Sequence, residues 1–143
     1  MQGARSYYAC AMDNPQGIDS VLKQARVRLD RLEPAVAHAA TQAGAVLVDT
    51  RPEYQRREHG DVPGALIIDR NVLEWRLDPA SGSRLSIADS YDLQIIVLCQ
   101  QGYSSSLAAA SLQEIGLWRA TDVIGGFEAW REAGLPVIPG SYD

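Results

Sequence analysis

Three short apolar runs constrain this chain more than anything else in it. Ala45-Val46-Leu47-Val48, Ala65-Leu66-Ile67-Ile68 and Ile95-Ile96-Val97-Leu98 show no polar alternation. A strand apolar on both sides must be covered on both sides, which is the condition of a parallel sheet between helical layers. The segments between the runs fit, since they read as helices and turns. The sequence therefore predicts an α/β fold, a central, mostly parallel sheet with helices on both faces.

The helices are read from apolar spacing and punctuation. Ile18, Val21, Leu22, Ala25, Leu29 and Leu32 recur at helical intervals on one face. That face is expected to pack on the sheet, with a homodimer contact as the alternative. Pro34 opens a second helix that Gly44 closes. After the strand at 45–48, a short helix is expected over 53–58, followed by the turn Gly60-Asp61-Val62-Pro63-Gly64. Asn71 is the expected cap of a short helix through Leu77. A strand over 94–98, a helix over 104–115, a strand over 122–124 and a helix over 127–133 complete the order. Residues 1–17 show no periodicity and read as a flexible tail. Residues 18–143 read as a single domain, with helices over 18–43 as an amino-terminal extension and the core motifs over 44–138.

With 143 residues, 46% hydrophobic and 22% charged, the chain suits one ordinary core. The net charge of −5 argues against nucleic acid or an anionic membrane as the main partner. Two cysteines, Cys10 and Cys99, make no disulfide framework, so a reducing, cytoplasmic setting is expected. No stretch suggests a signal peptide or a membrane span. His38 and His59 have no companions at ligand spacing, so no metal site and no cofactor are expected. Gly125-Gly126 lacks the G-x-G-x-x-G pattern of a dinucleotide site.

In open α/β sheets ligands sit beyond the carboxyl ends of the strands. Asp49, Asp69 and Cys99 all fall at such ends. Cys99 is followed by Gln100-Gln101-Gly102-Tyr103-Ser104-Ser105 and then by a helix. The start of that helix directs unpaired N–H groups and a positive dipole end at the loop. Gly102 permits a tight turn. Ser104 or Ser105 is placed to cap the helix and to donate a hydroxyl inward. Such surroundings favour a thiolate and stabilise an anion built on its sulfur. From the residues alone, Cys99 remains open between that nucleophile and a buried filler at a strand end.

Three motifs together decide the family resemblance. CQQGYSS after a buried strand resembles the active-site loop of the rhodanese-like sulfurtransferases. VLVDTRPEY followed by GDVPGAL resembles the family's upstream Asp-x-Arg and Pro-Gly-Ala pattern. DVIGGFEAWREAGLPV resembles its carboxyl-terminal Gly-Gly-x-x-x-Trp and Gly-Leu-Pro pattern. They stand in the family's order over roughly residues 44–138. The resemblance implies the rhodanese-like fold and a single-domain thiosulfate sulfurtransferase. Cys99 would be the catalytic nucleophile, passing through a persulfide, with the amides of Gln100 to Ser104 as its cradle and Ser105 completing the loop. Asp49, Pro63, Gly64, Gly125, Gly126 and Trp130 would be structural motif residues. The implied partners are a small sulfur-donor anion and a thiol or cyanide acceptor, which can be a protein.

Departures from the pattern matter too. Ser104 stands where many relatives carry Arg, which weakens direct charge recognition of the donor. Asp61 stands where relatives often carry His, and Tyr103 is large enough to gate Cys99. Arg51, Arg70, Trp75 and Arg76 are the candidate pocket rim; for Arg51 a structural ion pair with Asp49 is the preferred alternative. Cys10 is an incidental thiol or a resolving one. Cysteine-dependent phosphatases that share the fold need His-Cys-x5-Arg. Here Leu98 precedes Cys99 and position 105 is Ser, so bidentate phosphoryl recognition is lost. A binding or sensor module without catalysis, or a persulfide carrier, is the other alternative.

Overall fold

The computed structural model describes residues 14–140. Within it the sheet has four strands, β1 (Val46–Asp49), β2 (Leu66–Ile67), β3 (Ile95–Leu98) and β4 (Thr121–Asp122), in the order β2-β1-β3-β4. All three pairings are parallel, and β1 and β3 run in register from Val46 opposite Ile95 to Asp49 opposite Leu98. Six α-helices surround the sheet: α1 (Ile18–Val27), α2 (Pro34–Gln42), α3 (Glu53–His59), α4 (Leu73–Leu77), α5 (Ser104–Glu114) and α6 (Gly126–Glu132).

The first and third apolar runs behave as their composition demands, whereas β2, the edge strand expected to be buried, has Leu66 half-buried and Ile67 exposed. All residues of β1 and β3 are buried, and alternate side chains enter opposite layers. Val46, Val48, Ile95 and Val97 join Leu73, Leu77, Ala108, Ala109 and Leu112, the side of α4 and α5. Leu47, Ile96 and Leu98 join Ala37, Val123, Phe127 and Trp130, the side of α2 and α6. Alanines at 108 and 109 let α5 approach the sheet closely. Trp130 is buried and donates its indole N–H to the Pro136 carbonyl at 2.9 Å. His38 meets its ring edge-on, with centroids 5.4 Å apart. No helix among the described residues is long and apolar enough to cross a membrane.

The last strand falls at Thr121–Asp122 rather than 122–124, and two larger departures concern the first helix and the cap before α4. The first helix stops at Val27, burying Leu22 and Ala25 while Ile18 and Val21 stay exposed. Leu29 enters the core beyond the helix. Leu32 leaves the helical pattern altogether, packing against the α2/α6 side of the core and forming a parallel bridge to Val123 beside β4. Its amide donates to the Asp122 carbonyl at 3.0 Å, and its carbonyl accepts from the Ile124 amide at 2.8 Å. A free strand edge is thereby satisfied, and this outweighs one more helical turn. The other departure is the cap before α4. Asp69, not Asn71, supplies it, its carboxylate accepting from the Asn71 amide at 2.7 Å, over a 3-10 turn at Arg70–Val72.

Candidate active site

The strand order reverses direction between β1 and β3, since β1 leads outward to β2 and β3 to β4. The loops beyond their carboxyl ends are therefore parted to opposite sides and leave a crevice between them. That crevice is a cleft of about 370 Å³ bordered by Thr50, Arg51, Pro52 and Gln55 from the β1 side. Cys99, Gln100, Gln101, Tyr103 and Ser104 border it from the β3 side. Thr50 ties the two loops together, donating both its amide and its hydroxyl to the Leu98 carbonyl.

Cys99 is a free thiol with 6% of its surface exposed. Two backbone amides reach its Sγ, Gly102 at 3.2 Å and Ser105 at 3.4 Å. Gly102 does this at a φ of +85°, a region L side chains avoid. Three other peptides are held from outside the loop. The Cys99 carbonyl accepts from the Phe127 amide at 2.8 Å, and the Gln100 carbonyl from the Glu128 amide at 3.1 Å. The Gly102 carbonyl accepts from two guanidinium groups, Arg26 at 2.8 Å and Arg31 at 3.0 Å. In a planar trans peptide the C=O and the N–H point in opposite directions. Anchoring these three carbonyls outward thus turns the amides of Gln100, Gln101 and Tyr103 towards the inside of the loop.

Gly126 explains how α6 comes close enough. At φ +62° it lies directly under the loop, and a Cβ there would overlap the Cys99 carbonyl oxygen. The Gly-Gly pair is therefore a contact surface for the loop, as its motif position implies.

Beneath the helix start lies a buried carboxylate. Asp122 accepts from the hydroxyls of Ser105 at 2.7 Å and Ser106 at 2.8 Å. Arg31 adds a fork, Nε at 2.8 Å and Nη2 at 3.2 Å. This corrects the expectation for the serines. Ser104 is exposed, Tyr103 occupies the cap position without a side-chain hydrogen bond, and the Ser105 hydroxyl turns to Asp122 rather than to sulfur.

Of the rim candidates, only Arg51 borders the Cys99 cleft, and its charge is already matched. Its guanidinium is fully buried, forks onto Asp49, and donates to the Gly60 carbonyl and to Gln100 Oε1. It also lies 4.0 Å from the Phe127 ring centroid. The structural ion pair with Asp49 is the arrangement present. Arg70 and Trp75 instead line a separate cleft with Asn71, Glu74, Asp78 and Ile115. Arg70 pairs with Glu74 one turn on, and Arg76 donates to the Ser83 carbonyl, so neither meets the cysteine. Pro63 and Gly64 border a third cavity with His38 and Trp130, beside the start of β1. Cys10 lies outside the described residues. The residues that sequence reasoning missed are Arg26, Arg31, Ser106 and Asp122. Asp122 opens the DVIGG motif, which was its only signal.

Residues 33–133 match the rhodanese-like domain model. The chain belongs to the rhodanese-like domain family. Among curated relatives, the thiosulfate sulfurtransferase GlpE of Stutzerimonas stutzeri is 36% identical over 101 residues, covering 71% of this chain and 84% of that one. The GlpE protein of Actinobacillus succinogenes is 49% identical over 93 residues, 65% of this chain and 75% of that one. Among solved structures, RPA3614 of Rhodopseudomonas palustris, described as a protein of unknown function and possible tyrosine phosphatase, has a TM-score of 0.78. It is 33% identical, over 87% of this chain and 96% of that one. The polysulfide-sulfur transferase homodimer of Wolinella succinogenes shares the rhodanese-like fold at a TM-score of 0.64 and 20% identity, over 93% and 95% of the two chains. The matched region takes in α2 as well as the sheet; α1, with Arg26, and the segment after it, with Arg31, precede it.

Proposed function

We propose that this rhodanese-type sulfurtransferase works through a persulfide on Cys99. The thiolate attacks the outer sulfur of a sulfane donor such as thiosulfate. A sulfur–sulfur bond forms at Cys99, the donor's own sulfur–sulfur bond breaks, and sulfite leaves with its electron pair. A thiolate or cyanide acceptor then attacks the terminal sulfur and restores the Cys99 thiolate. The two half-reactions share one covalent intermediate, so ping-pong kinetics are expected. The observation that carries the reading is the pair of backbone amides, of Gly102 and Ser105, on Sγ. Donors preorganised for a developing anion are each worth about 3 kcal/mol in other enzymes when removed singly. We place the protein in a reducing, cytoplasmic setting, where a free buried thiol survives.

The description of RPA3614 makes a phosphatase the second reading to weigh. A phosphoryl-transfer loop needs a guanidinium closing it, and here the corresponding Ser105 is buried with its hydroxyl spent on Asp122. Arg51 is fully engaged elsewhere. Sulfur transfer is thus the reading that the loop chemistry favours.

Incubation with thiosulfate followed by intact mass measurement tests it. One added sulfur atom is expected at Cys99, lost on adding cyanide with thiocyanate formed, and absent in Cys99→Ser. No uptake from thiosulfate or any other sulfane donor refutes the reading. Uptake without turnover would assign a carrier that hands sulfur to a partner protein.

A further inference from the structure

The loop lacks an arginine of its own, yet two arginines meet behind it. Arg26 from α1 and Arg31 from the following segment both donate to the Gly102 carbonyl. Both precede the region matched by the family model, which begins at residue 33. Their charges are not equivalent. Arg31 forks onto the buried Asp122, so its charge is matched on the spot. Arg26 has neutral partners only: the Gly102 carbonyl, the Ser106 hydroxyl at 3.1 Å and the Tyr103 ring at 5.6 Å. Among the described residues no carboxylate lies within 4.0 Å of it. Only one glycine separates this unmatched cation from the sulfur, because Gly102 accepts from Arg26 and donates to Sγ.

We propose that Arg26 is a specificity-determining positioning residue: it supplies, through the Gly102 peptide, the positive charge that draws anionic sulfur donors to Cys99. Arg31 is the matched brace, fixing the peptide while Asp122 cancels its charge. Holding the Gly102 carbonyl does two things. It keeps the Gly102 amide on the sulfur, and it turns the next amide, that of Tyr103, into the loop. The charge itself acts on whatever approaches, favouring a dianion over a neutral molecule in a chain that is otherwise acidic. Tyr103 lies between Arg26 and the cleft, bordering both the Cys99 cleft and a second groove with Arg26, Lys23 and Leu22.

The role deepens the sulfurtransferase reading and rests on it for its biological meaning. Its test is independent of turnover. The alkylation rates of Cys99 by anionic iodoacetate and by neutral iodoacetamide are compared, read on the Cys99 peptide by mass so that Cys10 does not contribute. The ratio cancels any change in thiolate content that affects both reagents alike. In Arg26→Gln the iodoacetate-to-iodoacetamide ratio is expected to fall about five-fold, for one charge removed at close range in a partly solvated site. Arg26→Lys, which keeps the charge and loses the fork, should recover most of the ratio. Arg28→Gln, one charge removed from the exposed end of the same segment, should leave it unchanged. With thiosulfate, Arg26→Gln should raise KM about five-fold and leave kcat within about two-fold. An unchanged ratio in Arg26→Gln overturns the proposal. So does equal slowing of both reagents in Arg26→Gln and Arg26→Lys, which would make Arg26 a brace alone. If the wild-type protein takes up no sulfur, the sulfurtransferase reading fails, and the alkylation ratio still decides the role of Arg26.

Discussion

Gly126→Ala probes the seam between α6 and the Cys99 loop more sharply than any substitution in the loop itself. An added Cβ would overlap the Cys99 carbonyl oxygen and come within 2.7 Å of the Gly102 amide nitrogen and 2.9 Å of the Gln100 carbonyl carbon. All three are backbone atoms, so no side chain can rotate away. The φ of +62° costs an L residue about 1–2 kcal/mol before any contact is counted. Overpacking against fixed neighbours adds about 1–3 kcal/mol. If α6 backs away instead, the hydrogen bond from Phe127 to Cys99 stretches, at about 1 kcal/mol. The expected loss is about 2–5 kcal/mol, a large share of the roughly 5–15 kcal/mol that holds a domain together. Gly134→Ala is the matched control, with φ +74° and nothing within 4 Å of its Cβ. It should lose only the conformational part, about 1–2 kcal/mol. Urea unfolding gives both stabilities, and the rate of sulfur uptake from thiosulfate in the folded protein gives the function. Uptake should slow about a hundred-fold in Gly126→Ala, as expected for small displacements of reacting groups, and stay near wild type in Gly134→Ala. Equal stability losses in the two variants, with wild-type uptake in both, would refute the seam.

Two further substitutions address groups away from the sulfur. Asp122→Asn removes the charge that Arg31, Ser105 and Ser106 all face, leaving a mostly buried guanidinium unmatched; a loss of about 3 kcal/mol in urea unfolding is expected, and a loss under about 1 kcal/mol would show that the network is not cohesive. For Glu74, burial alone raises the carboxyl, but the Ser111 hydroxyl, its own backbone amide and Arg70 outweigh it and hold the group below its usual range. A depressed folded value means that the stabilisation is complete above the unfolded value and is lost as pH falls through the folded one. Glu74→Gln should therefore be less stable than wild type at neutral pH, with the gap closing below about pH 4; a gap independent of pH contradicts the assignment.

β1 and β3 were legible because burial on both faces leaves little room for polar residues, and they contain none apart from the terminal Asp49, whereas β4 is the polar, buried pair Thr121–Asp122. The cysteine loop was legible for a related reason, since a strand end, a glycine and a helix start are all local in sequence. What the sequence hid is non-local. Arg31 and Asp122 are 91 residues apart, and Arg26 and Gly102 are 76 apart, so no spacing rule joins them. Leu32 kept helical phase with Leu29, yet the open edge of β4 claimed it. Arg70 and Arg76 were placed correctly along the chain and wrongly around it. Glu74, four residues after Arg70, is the i,i+4 partner that holds it away from the cleft, a signal the sequence did contain.

The absence of an arginine closing the loop at position 105 fits the charge that sulfur transfer, rather than phosphoryl transfer, must hold. A transferred phosphoryl group spreads its charge over three oxygens, and a planar fork on that group is what phosphoryl-transfer sites supply. A persulfide carries one charge on one terminal sulfur once sulfite has left. Backbone amides such as those of Gly102 and Ser105 suit that single point without a guanidinium closing the loop. The cations here are Arg51 at the cleft border, cancelled by Asp49, and two behind the loop backbone, Arg31 cancelled by Asp122 and Arg26 left unmatched. On the persulfide reading proposed above, such a site would meet a dianionic donor with long-range charge and then hold the monoanionic persulfide with hydrogen bonds. The same division would let the terminal sulfur pass to an acceptor with no closing guanidinium to release it, which is the step that loss of the added sulfur on cyanide addition reads.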